Sequence, residues 1–266
     1  MKTRVVSAII MLIIFIPLLF IGGNVFSFGV YLVSLLGLYE FLKIKDENKY
    51  IPSFIKFISY ILLTLLILAN TNIKDLTFSI DYRVLAGLFI SYLIPTVLYH
   101  DRKKYSINDA FYLIGGVLFL GISMSLLILI RNNSLALTIY LFLISIMTDT
   151  YAYFIGSLIG KHKLLESISP RKTLEGMIGG TIFGTFIGTV FYSLFVSSTT
   201  PIYVIIVITL FLSIIGQFGD LVFSAIKRYF SKKDFSNIVP GHGGVLDRMD
   251  SIIFILLGFV FFMTLI

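Results

Sequence analysis

The chain has 266 residues, of which 58% are hydrophobic and only 13% charged, and its mean hydropathy is +0.99. A soluble enzyme is excluded, because soluble domains are about a quarter charged and this chain has too few polar residues to cover a surface. It has no cysteine, which excludes disulfides, thiolate nucleophiles and cysteine-bound zinc. The formal charge of +7 is too sparse for a nucleic-acid surface, so we expect no nucleic-acid partner.

Apolar runs that are long enough to cross a membrane recur along the whole chain. A crossing helix needs about 20 mostly apolar residues for a hydrocarbon layer of about 30 Å, and isolated strands cannot satisfy their backbone there. We predict nine such spans, at residues 5–21, 25–42, 54–69, 84–99, 111–130, 135–159, 176–195, 203–223 and 251–266. No small-x-small cleavage site follows the first, which predicts a retained helix rather than a signal peptide.

The predicted fold class is therefore an all-α, polytopic integral membrane protein. We divide it into residues 1–110, which hold spans one to four, and residues 111–266, which form a C-terminal catalytic region. With the N-terminus in the cytoplasm, all of the 21 Lys and Arg residues except Lys74, Arg83 and Arg131 fall on the cytoplasmic side. This is the asymmetry that the positive-inside rule describes. The two longest polar segments, 160–175 and 224–250, are then cytoplasmic, and we expect the chemistry there.

Asp149 and Asp220, both within predicted spans, are the two acidic residues that we single out. Asp149 lies about ten residues from the end of span six, which is about 15 Å of helix. An ionised carboxylate at that depth is costly unless it faces a polar cavity or a cation. Asp220 ends span eight, and if the helix continues, Ser224 and Lys227 share its face, with Arg228 beside them. The alternatives are a buried structural role for Asp149 and simple membrane anchoring for the two basic residues.

The most specific segment is Pro240-Gly-His-Gly-Gly-Val-Leu-Asp-Arg-Met-Asp250. Its glycines permit positive φ and close approach to a ligand, and successive N–H groups in such a loop can bind an anion. We therefore expect Gly243, Gly244 and His242 near a phosphate. The alternatives for the histidine are a metal ligand, a general acid and a turn-stabilising role.

The acids of this segment predict a metal site. Asp247 and Asp250 lie three residues apart at the start of span nine, hence on one helical face, and Asp220 adds a third carboxylate. Such an oxygen-rich set suits Mg²⁺, and Arg248 would add positive charge for a phosphate. The alternative, an N-terminal helix cap, explains one acid but not two.

The segment 160–175 is a second basic cluster, and membrane topology alone explains its charge about equally well. Ser169-Pro170 within it predicts the start of a helix. Downstream, Gly176, Gly180, Gly184 and Gly188 recur every fourth residue, which predicts a face for close helix packing.

Taken together, the motifs resemble the signature of the bacterial phosphatidate cytidylyltransferase (CDP-diacylglycerol synthase) family. They are Asp149-Thr-Tyr-Ala-Tyr-Phe154, Gly160-Lys-His-Lys-Leu164, Ser169-Pro-Arg-Lys-Thr-Leu-Glu-Gly176, Gly219-Asp-Leu221, Ser224-Ala-Ile-Lys-Arg228, Lys233-Asp234 and Pro240-Gly-His-Gly-Gly-Val-Leu-Asp-Arg-Met-Asp250-Ser251. The resemblance covers the C-terminal half in motif terms. Phe223 departs from it, because many members have Glu there, and any role of that Glu is absent or met elsewhere.

The resemblance implies the reaction CTP + phosphatidate → CDP-diacylglycerol + pyrophosphate at the bacterial cytoplasmic (inner) membrane. It also implies a homodimer and Mg²⁺, with which a monovalent cation such as K⁺ can share the acidic site. The residues it assigns to catalysis are Asp220, Asp247, Asp250, Lys227 and Arg228, the three acids also being the metal ligands. Those it assigns to substrate binding are Asp149, Lys172, Thr173, Ser224, His242, Gly243, Gly244 and Arg248.

Two other functions compete with this one. A related lipid-nucleotide enzyme, such as a CDP-archaeol synthase or a polyprenol kinase, would use a similar site on another lipid. A secondary transporter would place ionisable residues near the midplane in two related halves, whereas here the acids cluster in the second half and no internal repeat is visible.

Overall fold

The computed structural model describes residues 2–69, 76 and 78–264, with side chains from residue 5 onward. Within them, nine α-helices follow one another along the chain, which confirms a helix for each of the nine predicted spans. They are α1 (Lys2–Ile21), α2 (Gly23–Asp46), α3 (Ser53–Leu68), α4 (Tyr82–Leu98), α5 (Ile107–Asn133), α6 (Leu135–Ile159), α7 (Leu174–Phe195), α8 (Ile202–Tyr229) and α9 (Leu246–Phe259). A 3₁₀ turn over Val260–Phe262 follows α9.

Five of the helices in the described part of the chain, α2, α5, α6, α7 and α8, are long and apolar enough to cross a membrane. Shorter apolar helices cover Val5–Ile21, Ser53–Leu68 and Tyr82–Leu98. Large apolar side chains are exposed along these helices, as expected for surfaces that face lipid. The chain is therefore a multi-pass membrane protein, while the count of nine crossings and the orientation stay predictions. Lys74, one of the three outer basic residues, lies outside the described residues.

Span nine was predicted at 251–266, and its start is wrong. The helix begins at Leu246, because the backbone N–H groups of its first turn find carboxylate acceptors described below. Its 14 residues rise only about 21 Å. The last two residues of the predicted span lie outside the described part of the chain.

A small β-hairpin departs from the all-α expectation. Strands β1 (Lys163–Leu165) and β2 (Ser169–Thr173) are antiparallel, with Lys163 opposite Thr173. The predicted helix start at Ser169-Pro170 is therefore wrong. Residues 169–173 pair with β1 instead, and the Thr173 side chain supplies the helix start by accepting from the Gly176 N–H at 3.2 Å. Helix α7 accordingly begins at Leu174.

By its internal contacts the chain forms two compact units. The first unit comprises Met1–Asn132 and Asp234–Arg248, and the second comprises Asn133–Lys233 and Met249–Ile266. The functional division into residues 1–110 and 111–266 is a different one and stays a prediction.

In the first unit, α2 packs against α1 and α3, and α3 packs against α4. The Phe41 and Tyr112 rings stack with centroids 4.4 Å apart, joining α2 to α5. Beside them the buried Asp109 pairs with Lys45 at 2.5 Å and with Lys49. These contacts join the C-terminal end of α2, which carries Lys43 and Lys45, to the N-terminal end of α5.

In the second unit, the glycine face of α7 packs as predicted. A Cβ at Gly180 would lie 2.5 Å from the Thr148 carbonyl oxygen, and one at Gly176 would lie 2.6 Å from the Ala152 carbonyl oxygen. Helix α7 therefore approaches the backbone of α6 more closely than any side chain allows. The same face meets α8, where a Cβ at Gly188 would lie 2.7 Å from Thr209.

Candidate active site

Three carboxylates meet in the second unit, one from each of α6, α8 and α9. Asp149, Asp220 and Asp250 each interact electrostatically with the other two. Asp149 accepts a hydrogen bond from Ser251 Oγ at 3.2 Å, and Asp220 accepts one from Ser224 Oγ at 3.2 Å. Asp250 accepts from the Ser251 N–H at 2.9 Å. Three of the four acids singled out in the sequence are therefore neighbours, and we call them the acid cluster.

Two lysines lie beside the acid cluster. Lys172, on β2, places Nζ 2.6 Å from Asp220 Oδ2 and also attracts Asp149. Lys227 is buried in α8 and attracts Asp250. Helix α8 runs on to Tyr229, so the prediction that Asp220, Ser224 and Lys227 share one helical face is confirmed. The acid cluster therefore combines three carboxyl groups with two ammonium groups.

The other two predicted site residues of this unit, Thr173 and Arg228, form hydrogen bonds with backbone groups. Thr173 Oγ1 caps α7. The Arg228 guanidinium donates to the Ile168 carbonyl at 3.3 Å and to the Lys232 carbonyl at 2.8 Å. Arg228 thereby fixes the turn of the hairpin and the segment after α8. A role of either residue in substrate binding stays a prediction.

In the first unit, residues 236–246 form the glycine-rich loop. Gly241 and Gly243 have φ of 78° and 86°, the left-handed region that glycine adopts without strain. The Val239 N–H donates to the Gly243 carbonyl, and the His242 N–H donates to the Val239 carbonyl, both at 2.9 Å. The expectation that glycines of this segment adopt positive φ is confirmed for Gly241 and Gly243.

The N–H groups of the loop bind carboxylates of the protein itself. Asp247 Oδ2 accepts from the Gly244 N–H at 2.8 Å and from the Phe235 N–H at 3.0 Å. Glu40 on α2 accepts from the N–H groups of Val245 at 2.8 Å and Leu246 at 2.9 Å. The loop does gather donors for an anion, as predicted, but three of them serve Asp247 and Glu40. Substrate contact by Gly243 and Gly244 stays a prediction.

His242 and Arg248 lie at the other side of the same loop. Arg248 donates from Nε and Nη2 to the His242 carbonyl at 3.0 and 2.6 Å. His242 Nδ1 lies 2.8 Å from Ser7 Oγ, and that hydroxyl donates to the Pro240 carbonyl at 2.9 Å. Helix α1 thus contacts the loop through Ser7. These bonds fit the turn-stabilising alternative for His242, and a phosphate contact stays a prediction.

Glu40 is the residue that sequence reasoning missed. Its side chain is fully buried, and it lies inside predicted span 25–42, two residues before the end. An acid within an apolar span was the signal that singled out Asp149, and it would have found Glu40 too.

The donor chemistry of the acid cluster fits a magnesium ion. Mg²⁺ prefers carboxylate oxygens, and Asp149, Asp220 and Asp250 supply them from three helices. In the part of the chain that the structure describes, no three His, Asp or Glu side chains already stand in ligating positions. Asp247 differs from the cluster, because its Oδ2 accepts two backbone hydrogen bonds.

A model of the cytidylyltransferase family matches residues 2–266. The chain belongs to the cytidylyltransferase family. It is similar to proteins named phosphatidate cytidylyltransferase from Staphylococcus haemolyticus (38% identity over 261 residues) and from Staphylococcus saprophyticus and Staphylococcus aureus (each 37% over 258 residues). Each alignment covers 96% of this chain and 96% of the relative. The family resemblance stated from the motifs is confirmed, and the similarity extends over the N-terminal helices as well.

Proposed function

We propose that this protein is a phosphatidate cytidylyltransferase that converts CTP and phosphatidate to CDP-diacylglycerol and pyrophosphate. The observation that carries the proposal is the acid cluster with Lys172 and Lys227, in a chain that belongs to the cytidylyltransferase family. Relatives named for this reaction match nearly the whole chain. Membership of an enzyme family also leaves the transporter alternative without support.

The reaction is a nucleotidyl transfer between two anions. A phosphate oxygen of phosphatidate forms a bond to the α-phosphorus of CTP, and the bond from that phosphorus to the β-phosphate oxygen breaks. Pyrophosphate leaves with the electron pair. Since like charges must be brought together, catalysis consists chiefly of neutralising and aligning the phosphates. No covalent nucleophile is needed, which agrees with the absence of cysteine.

The acid cluster would hold Mg²⁺, with Asp220 and Asp250 as the principal ligands and Asp149 beside them. Bound there, such an ion would supply positive charge to the phosphates and to the pyrophosphate leaving group. The resemblance also assigns Asp247 and a K⁺ ion to the metal site. Asp247 bonds the glycine-rich loop through Oδ2, so its role as a ligand rests on the resemblance alone.

The basic residues would bind the phosphates. Lys172 is paired with Asp220, and we propose that its ammonium group would bind a substrate phosphate. Lys227, held in α8 next to the cluster, would keep a second positive charge at the reacting phosphates. Arg228 and Arg248, each oriented by backbone carbonyls, supply further charge, and Ser224 orients Asp220.

The location follows from the lipid substrate. In a multi-pass protein the acyl chains of phosphatidate can stay in lipid while the headgroup reaches polar residues. We propose the bacterial cytoplasmic membrane, with the site on the cytoplasmic side where the basic residues concentrate. A homodimer is proposed from the resemblance alone.

A direct assay tests the function. Purified protein in detergent is given CTP, phosphatidate and Mg²⁺, and we expect stoichiometric CDP-diacylglycerol and pyrophosphate. Parallel reactions replace phosphatidate with an archaeal ether lipid or a polyprenol. A product from one of those lipids and none from phosphatidate would contradict the proposal in favour of a related lipid-nucleotide enzyme.

A further inference from the structure

We propose that Glu40 is a positioning residue that fixes the glycine-rich loop and the first turn of α9, and with them Asp247. The effect on turnover rests on the proposed function, whereas the effect on the loop does not.

The Glu40 carboxylate joins both ends of the loop. Ser236 Oγ, at the beginning, donates to Oε1 at 2.5 Å. The Val245 N–H donates to Oε1 at 2.8 Å, and the Leu246 N–H donates to Oε2 at 2.9 Å. Ser236 Oγ in turn accepts from the Ile238 N–H at 3.1 Å. One side chain from α2 therefore ties together positions ten residues apart.

The charge of Glu40 suits this place. The N–H groups at the start of a helix have no partner within the helix, and the helix dipole favours a negative charge there. Val245 and Leu246 supply such N–H groups at the start of α9. A fully buried carboxylate is tolerated because charge-assisted hydrogen bonds replace its hydration. Glu40 thus caps α9 from a helix about 200 residues earlier in the chain.

The packing around Glu40 is built for the same contact. A Cβ at Gly244 would lie 2.5 Å from Oε1 and 2.6 Å from Oε2, so only glycine lets the carboxylate approach. One turn earlier on α2, a Cβ at Gly37 would lie 3.1 Å from the Leu246 side chain. Gly37 and Glu40 are three residues apart and therefore lie on one face of α2. That face receives the loop and the first residue of α9.

The consequence for the site concerns Asp247. Its carboxylate bonds the Gly244 N–H, which lies beside the two N–H groups that Glu40 holds. If the loop shifts, Asp247 and Arg248 shift with it. Glu40 touches no substrate in this account, and its contribution is to keep these two side chains in place.

The test compares three full-length variants in detergent. Glu40→Gln keeps the size of the side chain and removes the charge, and Ser236→Ala removes one donor from Glu40. Ser34→Ala is the matched control, since Ser34 is also buried on α2 but donates to Val30 of its own helix. Hydrogen–deuterium exchange of peptides within residues 236–247 reports the loop, and steady-state kinetics with CTP and phosphatidate reports turnover.

We expect exchange at Val245 and Leu246 to be about tenfold faster in Glu40→Gln, since a hydrogen bond to a charged group is worth at least about that factor. Ser236→Ala should give a smaller increase at the same peptides, and Ser34→Ala none. With the loop displaced, kcat of Glu40→Gln should fall about a hundredfold while KM for CTP changes little.

Three results would overturn the proposal. The first is a loop exchange rate in Glu40→Gln that equals the rate in the wild type. Another is an exchange increase spread evenly over all helices, which is a general loss of stability. The third applies if Glu40→Gln does not fold. In that case, a loop exchange rate in Ser236→Ala equal to that of the wild type contradicts the proposal. A wild-type protein without cytidylyltransferase activity would refute the proposed function, and the exchange comparison would still test Glu40.

Discussion

Substituting Gly180 with alanine tests whether close packing of α7 against α6 places the acid cluster. The added Cβ would lie 2.5 Å from the Thr148 carbonyl oxygen, which is 0.9 Å less than the 3.4 Å at which ordinary contact begins. Backbone atoms on both sides cannot rotate away, so the two helices must separate by about that distance. Overpacking of this kind costs ~1–3 kcal/mol of stability. Thr148 directly precedes Asp149, and a displacement of about 1 Å at a catalytic group costs about a hundredfold in rate.

The assay measures thermal unfolding by far-UV circular dichroism and turnover with CTP and phosphatidate, both in the same detergent. Gly87→Ala in α4 is the matched control, because a Cβ there meets nothing within 4 Å. That substitution should leave turnover unchanged and raise stability by up to ~1 kcal/mol through the lower flexibility of alanine. Wild-type unfolding and turnover in Gly180→Ala, or equal damage in Gly87→Ala, would refute the reasoning.

Two further predictions concern the hairpin that precedes α7. Lys172→Met removes the cation paired with Asp220, and kcat/KM should fall about a hundredfold because a phosphate loses a fixed positive charge. Its unfolding temperature should barely change, since a partly exposed ion pair contributes at most about 1 kcal/mol, and a large loss of stability with full activity would contradict a substrate role. Thr173→Ala removes the cap on the Gly176 N–H and should lower the stability by about 1 kcal/mol, measured by chemical unfolding. Thr173→Ser keeps the hydroxyl and should behave like the wild type, and an equal loss in both variants would contradict the capping role.

Local patterns predicted the helices and the acid cluster well, but not the contacts of the glycine-rich loop. Apolar runs of sufficient length located every helix, and four-residue glycine spacing located the packed face of α7. The continuation of α8 past Asp220 follows from helical residues alone, so the shared face of Asp220, Ser224 and Lys227 could be predicted. Asp149 could be assigned to the same site, because a carboxylate in an apolar span needs polar neighbours.

What depends on distant contacts could not be predicted. The residues around Asp247 did indicate a helix start, but the Glu40 carboxylate that accepts from the Leu246 N–H lies about 200 residues earlier, and no local signal shows that contact. For the same reason the sequence could not show that N–H groups of the glycine-rich loop bind the carboxylate of Glu40. The hairpin was not predicted, because Ser169-Pro170 is also a typical helix start. Its strands depend on the pairing of Lys163 with Thr173, which the local sequence does not show.

The central claim is that carboxylates of the acid cluster hold a divalent cation that brings two phosphorylated reactants together. Its most direct test is the rate of CDP-diacylglycerol formation as a function of Mg²⁺ concentration for the wild type, Asp220→Asn and Asp250→Asn. Asp109→Asn is the control, a buried carboxylate that pairs with lysines of the first unit. We expect no product under complete chelation, and a sharply lower rate or a higher Mg²⁺ requirement in the two cluster variants only. Product formation by the wild type without divalent cations, or an unchanged Mg²⁺ dependence in both cluster variants, would contradict the account.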